Sequence, residues 1–143
     1  MSIAENEELD DRGMKAWDDG DPRAFADMFA ESFVVTDVST PEPITTRDGV
    51  LAYAQAWFTA FPDMRLTQTR RIVTEDAVAS EVEFTGTNTG PMMMGDKEIP
   101  PTGKAVTGRG AYFVKIENGR ATEFHAYPDV AGLMMQLGFM PPM

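Results

Sequence analysis

From Met64 onward the chain passes through four consecutive stretches of strand character with no helical stretch between them. Met64 to Val73 alternates apolar and polar residues and ends at the turn signal Glu75-Asp76. Ala77 to Thr87 alternates again, with Val78, Val82 and Phe84 set against Ser80, Glu81 and Glu83. Lys104 to Glu117 reads as a long strand. Asn118-Gly119 then marks a tight hairpin, because both residues tolerate the positive φ it needs. Strands that follow one another through turns pair antiparallel, and helices segregated from them pack on one face. The predicted class is α+β, with one domain over residues 1–143 and no internal repeat or linker.

The helices come first. Glu5 to Asp19 reads as a helix with Leu9, Met14 and Trp17 inward and its carboxylates outward, ended by Gly20. Asp21-Pro22 starts a second, whose buried stripe is Ala24, Phe25, Met28 and Phe29. Phe33 to Val38 is a short β-branched strand. After the loop at Pro41-Glu42-Pro43, Thr46 caps a helix with Val50, Tyr53, Ala54, Trp57, Phe58 and Phe61 at helical spacing. Asn88 to Thr102 reads as a long loop carrying Met92-Met93-Met94. Glycines inside the strands (Gly86, Gly108, Gly110) permit strong curling. A curled sheet closed by helices makes a cone, and its apolar interior suits a small molecule.

Composition removes several classes of function. A net charge of −11 opposes nucleic-acid binding, whose backbone it would repel. Residues 1–31 carry ten acidic and three basic side chains, a solvated helical face. No apolar run reaches transmembrane length, and the acidic start lacks the features of a signal peptide, so a cytoplasmic location is expected. With no cysteine and one histidine there is no thiolate site, and the carboxylates show no metal-ligand spacing. Neither metal nor cofactor is expected, and no nucleophile elbow or phosphate loop is present.

Chemistry is expected at the end of the chain. Glu123-Phe124-His125-Ala126-Tyr127 forms the final strand, Pro128 breaks it, and Asp129 opens a helix with Val130, Leu133, Met134 and Leu137 at helical spacing. Asp129 is a good helix N-cap and a possible acid/base, and one carboxylate can serve both ends. In a regular strand Glu123, His125, Tyr127 and Asp129 share a face. Four residues of extended chain span about 13 Å, so His125 and Asp129 are expected to line one cavity without touching. Tyr53, Trp57, Phe84, Tyr112 and Tyr127 are candidate contacts for a bound compound. His125, the second catalytic candidate, and Asn88 would orient it or stabilise the developing oxyanion, and Met93 would belong to an adaptable lid. Glu81, Glu83, Arg109 and Lys115 read as outward sheet charges, with Arg109 alternatively turned inward.

Phe61-Pro62-Asp63, Gly86-Thr87-Asn88-Thr89-Gly90, Pro100-Pro101-Thr102-Gly103-Lys104, Asn118-Gly119-Arg120 with Glu123, and Asp129 followed by Gln136-Leu137-Gly138 occur in this order. Together, over roughly residues 20–140, they resemble the SnoaL-like polyketide cyclases, also called ester cyclases, of the NTF2-like superfamily. The resemblance implies a cone-shaped α+β barrel, commonly dimeric through the outer face of its sheet. It also implies a cofactor-independent intramolecular aldol condensation of a hydrophobic polyketide ester, with Asp129 as general acid and base. The chain departs from the pattern at Asn88, where relatives often carry histidine, at His125, where they often carry tryptophan or another large residue, and over residues 104–117, which lack the histidine the cyclases use on that strand. The alternatives are an isomerase or epoxide hydrolase of the same fold, or a protein that binds an apolar ligand without turnover.

Overall fold

Ser2 starts the first helix through a reciprocal cap: its hydroxyl accepts from the Glu5 amide, and the Glu5 carboxylate accepts from the Ser2 amide. The computed structural model describes residues 2–141. Helix α1 spans Ile3–Asp18, and α2 spans Pro22–Ala26 with Asp21 as its cap. Strand β1, Phe29–Asp37, begins earlier than the sequence pattern indicates. Phe29 belongs to the strand because the short helix stops at Ala26. Helix α3 covers Arg47–Ala60 and is capped by Thr46, whose hydroxyl accepts from the Gly49 amide.

The sheet strands β2 (Arg65–Val73), β3 (Ala77–Thr87), β6 (Ala105–Glu117) and β7 (Arg120–Pro128) fall where alternation places them. Asn118 and Gly119 both adopt positive φ (52° and 75°), as the β6–β7 hairpin requires. The stretch read as a loop holds a small hairpin, β4 (Met92–Met94) and β5 (Lys97–Ile99). Helix α4, Val130–Leu137, closes the chain and ends on left-handed Gly138.

The strand order is β1-β7-β6-β3-β2. The β2–β3, β3–β6 and β6–β7 pairs are antiparallel, whereas β1 runs parallel to β7. Register shifts in β2–β3, β6–β7 and β1–β7 locally increase the twist of the sheet. Its inner face meets α1, α2 and α3 through an aromatic core. Phe25 packs edge-on against Trp17, Phe29 and Phe124, with ring centroids 5.1–5.3 Å apart.

The chain between β3 and β4 is fixed by Asn88. Its amide donates to Ala60 O and Gly90 O, and its Oδ1 accepts from the Thr102 amide and hydroxyl, all within 3.0 Å. A β-carbon at Gly90 would lie 1.7 Å from Thr59 O, so this segment crosses the end of α3 where only glycine fits. The β4–β5 hairpin is thereby pinned at its base.

Candidate active site

Between the helices and the inner face of the sheet lies a cavity with about 880 Å³ of empty space, its open mouth included. The wall is overwhelmingly apolar: Trp17, Phe25, Trp57, Phe84, Phe124 and Leu133 face it, with Gly108 and Gly110 giving width along β6. Carboxylates interrupt this surface at three places.

Asp129 stands at the mouth, where Pro128 ends β7. Its backbone leaves the extended region (φ −79°, ψ 79°), its N–H donates to Arg109 O, and its Oδ1 accepts from the Gly132 amide at 2.9 Å. Asp129 is exposed and borders the cavity. Its other oxygen, Oδ2, has no hydrogen-bond partner among the described residues.

Asp37 ends β1 beside Ala126 of β7 and is only 3% exposed. Its Oδ1 accepts from the Ser39 amide and hydroxyl, and its Oδ2 accepts from the Tyr53 hydroxyl at 2.5 Å. Burial, followed by the adjacent Asp37 charge, holds the Tyr53 phenol well above its usual pKa, so the proton stays on it.

Asp10 lies deeper, also 3% exposed. It accepts from the Tyr112 hydroxyl at 2.5 Å, from Gln68 Nε2 at 2.9 Å and from Arg71 at 3.0 Å. Tyr112 stacks on Phe124 at 5.3 Å, and burial followed by the Asp10 charge raises its pKa as well. Asp10 was expected on the outer, solvated face of α1. It turns inward because β2 and β6 supply its three donors, which neutralise the cost of burying a carboxylate.

The sequence-predicted contacts divide cleanly. Asp129, Tyr53, Trp57, Phe84 and Tyr112 border the cavity. His125, Asn88, Tyr127 and Met93 do not. Glu123, His125 and Tyr127 do share a face of β7, but it is the outer one; Phe124, Ala126 and Pro128 point inward. Asp129 escapes that alternation because the strand ends one residue earlier. His125 Nε2 donates to Glu123 Oε1 at 2.9 Å, Nδ1 bonds to Thr36 Oγ1 at 2.6 Å, and the ring stacks on Phe113. The hydrogen bond from His125 pulls the Glu123 pKa below the usual carboxylate value. Asn88 is fully buried and spends both ends of its amide on backbone and Thr102. Tyr127 (50% exposed) lies on the outer face, and Met93 (61% exposed) in the β4–β5 hairpin.

Arg109 faces outward opposite Glu83 and meets the cavity edge without turning its charge inward by register. Arg70 and Glu81 pair across the outer face at 3.4 Å. Among the described residues, no group of three or more His, Cys, Asp or Glu side chains is placed to hold a metal ion.

This arrangement, helices closing a curved mixed sheet over one apolar cavity, is that of the NTF2-like α+β cone. The model of the SnoaL-like polyketide cyclase family matches residues 7–137, and the chain belongs to that family. AclR, a putative hydroxylase from Streptomyces galilaeus, superposes with a TM-score of 0.84 at 22% identity, over 99% of this chain and 86% of that one. A putative SnoaL-like polyketide cyclase from Jannaschia superposes at 0.83 with 19% identity, covering 97% and 94%. IdmH, a putative polyketide cyclase from Streptomyces antibioticus, gives 0.75 at 23% identity, covering 92% and 97%. At these identities the likeness establishes the fold. No curated protein matches the sequence.

Proposed function

We propose that the protein is a cofactor-independent SnoaL-type cyclase that closes a ring in a small hydrophobic polyketide-like ester. The observation that carries this reading is Asp129: a carboxylate at the mouth of an apolar cavity, one oxygen fixed by the helix and the other without a partner among the described residues. In the reaction, Asp129 removes a proton from the carbon next to the ester carbonyl. The resulting enolate attacks a ketone carbonyl of the same molecule and forms the new carbon–carbon bond. The alkoxide left behind takes the proton back from the Asp129 carboxyl group. A substrate filling the apolar mouth displaces water from the carboxylate and strengthens it as a base.

Asp10, Asp37 and Asp129 all border the cavity, and the Tyr53 and Tyr112 protons are already committed to two of them. Such a lining disfavours a ligand carboxylate and favours its neutral ester. The protein is proposed to act as a homodimer, without nucleic-acid or membrane partners.

The test is turnover of polycyclic β-keto methyl esters and their free acids by the wild type and Asp129→Asn. Ring closure of the esters, abolished in the variant, is the expected result. Asparagine also caps helices, so the fold should persist. Full activity in Asp129→Asn would sink this mechanism. Asp37 favours one second reading, an isomerase of the same fold, since it is a buried carboxylate in the same cavity. Enone isomerisation lost in Asp37→Asn but kept in Asp129→Asn would select it. Equal ligand binding by all forms with no turnover would leave a binding protein.

A further inference from the structure

Gly132 is the third residue of α4, within the first turn of an eight-residue helix. Glycine is a poor choice there, because its freedom in the unfolded chain opposes helix formation. Its backbone does not explain it. The glycines with positive φ are Gly20, Gly95, Gly103, Gly119 and Gly138, and Gly132 is not one of them. Space does explain it. A β-carbon at residue 132 would lie 2.4 Å from Asp129 Oδ2 and 2.9 Å from its Cγ. Helical Cα–Cβ bonds lean toward the N-terminus, so a side chain at this position presses back onto the capping residue.

The same turn of helix is tied to the sheet. Gln136 accepts from the Thr107 amide at 2.9 Å and donates to Thr107 O at 2.5 Å, on the part of β6 beyond the end of β7. Its Nε2 also lies 3.4 Å from Gly132 O. The Asp129 carboxylate is therefore fixed to Gly132 N–H, and the turn containing Gly132 is fixed to β6.

We infer that Gly132 is a positioning residue: its missing side chain makes the space in which the reactive oxygen of Asp129 is held at the cavity mouth. This rests on the reading of Asp129 as the acid/base and adds a residue that never touches substrate. The obstructed atoms belong to a short side chain that can rotate away. Alanine at this position should thus leave the fold intact and turn the carboxylate.

The test needs no knowledge of the natural substrate. 5-Nitrobenzisoxazole opens its ring when a base removes its carbon-bound proton: the N–O bond breaks, and a cyanophenolate leaves with the electron pair. Wild type, Gly132→Ala, Asp129→Asn and the double variant are compared for kcat, KM and melting temperature. Gly132→Ala is expected to lower kcat about ten- to hundredfold, as a misplaced group does, with KM and melting temperature held or the latter raised. In the Asp129→Asn background the same substitution should cost nothing further, since it acts through that carboxylate. Unchanged kcat in Gly132→Ala, or an equal loss in both backgrounds, overturns the inference. Wild-type turnover no faster than that of an equal concentration of acetate counts against the acid/base reading instead. The crystal structure of Gly132→Ala then decides the positioning claim: a rotated Asp129 carboxylate upholds it, and an unmoved one refutes it.

Discussion

Tyr53 and Tyr112 are two phenols held by two buried carboxylates, and both keep their protons more tightly than phenols in water. Burial is the first cause in each, and the carboxylate charge the second. Below about pH 10 the folded and unfolded chains both retain these protons, and the stabilisation is fully present. As pH rises past that value the unfolded chain releases them and the folded chain does not, so stability falls. The urea midpoint should drop as pH rises from about 10 to about 12. That drop should be smaller in Tyr112→Phe than in the wild type, and equal slopes would contradict the assignment. Neither carboxylate was legible from the sequence. Asp10 sits among many acidic residues of a helix that reads as solvated, and its donors Gln68, Arg71 and Tyr112 lie 58, 61 and 102 residues away. Residue type and local period carry no trace of partners that remote. The place of Asp129 between the last strand and the last helix was legible because both its cues, a broken strand before it and an apolar helix after it, are local.

At the scale of elements, the antiparallel strands and the helix caps were readable because alternation and turn residues act between neighbours in sequence. The parallel pairing of β1 with β7 was not, since its partners are joined by most of the chain. The same limit explains His125. Period fixes which residues of β7 share a face, and here it grouped Glu123, His125 and Tyr127 correctly; which face is buried is decided by the helices that arrive from elsewhere. Helix α4 docks on β6. Gln136 imitates a neighbouring strand by bonding both the N–H and the C=O of Thr107. In Gln136→Ala the Thr107 amide loses its acceptor, so its hydrogen exchange should accelerate while amides of the β3–β6 core keep their protection. Unchanged exchange at Thr107 would show that α4 is held without this latch. Asp129 caps α4, so loosening the helix also loosens the proposed base.

For the whole molecule, the outer face of the sheet is the surface left without helices, and it exposes large apolar side chains although the chain carries a net charge of −11. Ile72 is 69% exposed, Phe113 39% and Tyr127 50%, and register brings them near one another across β2, β3, β6 and β7. Large exposed apolar side chains gathered on one face are what an association surface provides. Arg70, Glu81, Lys115 and Glu123 on the same face supply both signs of charge in cross-strand pairs. A second copy of this chain is the partner proposed for it, because a two-fold axis would set one patch against itself. Two copies repel through their net charge, and added salt screens that repulsion while leaving apolar burial in place. The protein should therefore sediment as a dimer at micromolar concentration, with the dimer favoured by raising salt from about 0.05 to 0.5 M. Ile72→Glu should shift it toward monomer without loss of helical signal, because the residue is exposed within one subunit. A monomer under all these conditions would remove the dimer proposal. A dimer indifferent to Ile72→Glu would place the contact on another face and leave the cavity reading untouched, since that reading rests on Asp129 and not on Ile72.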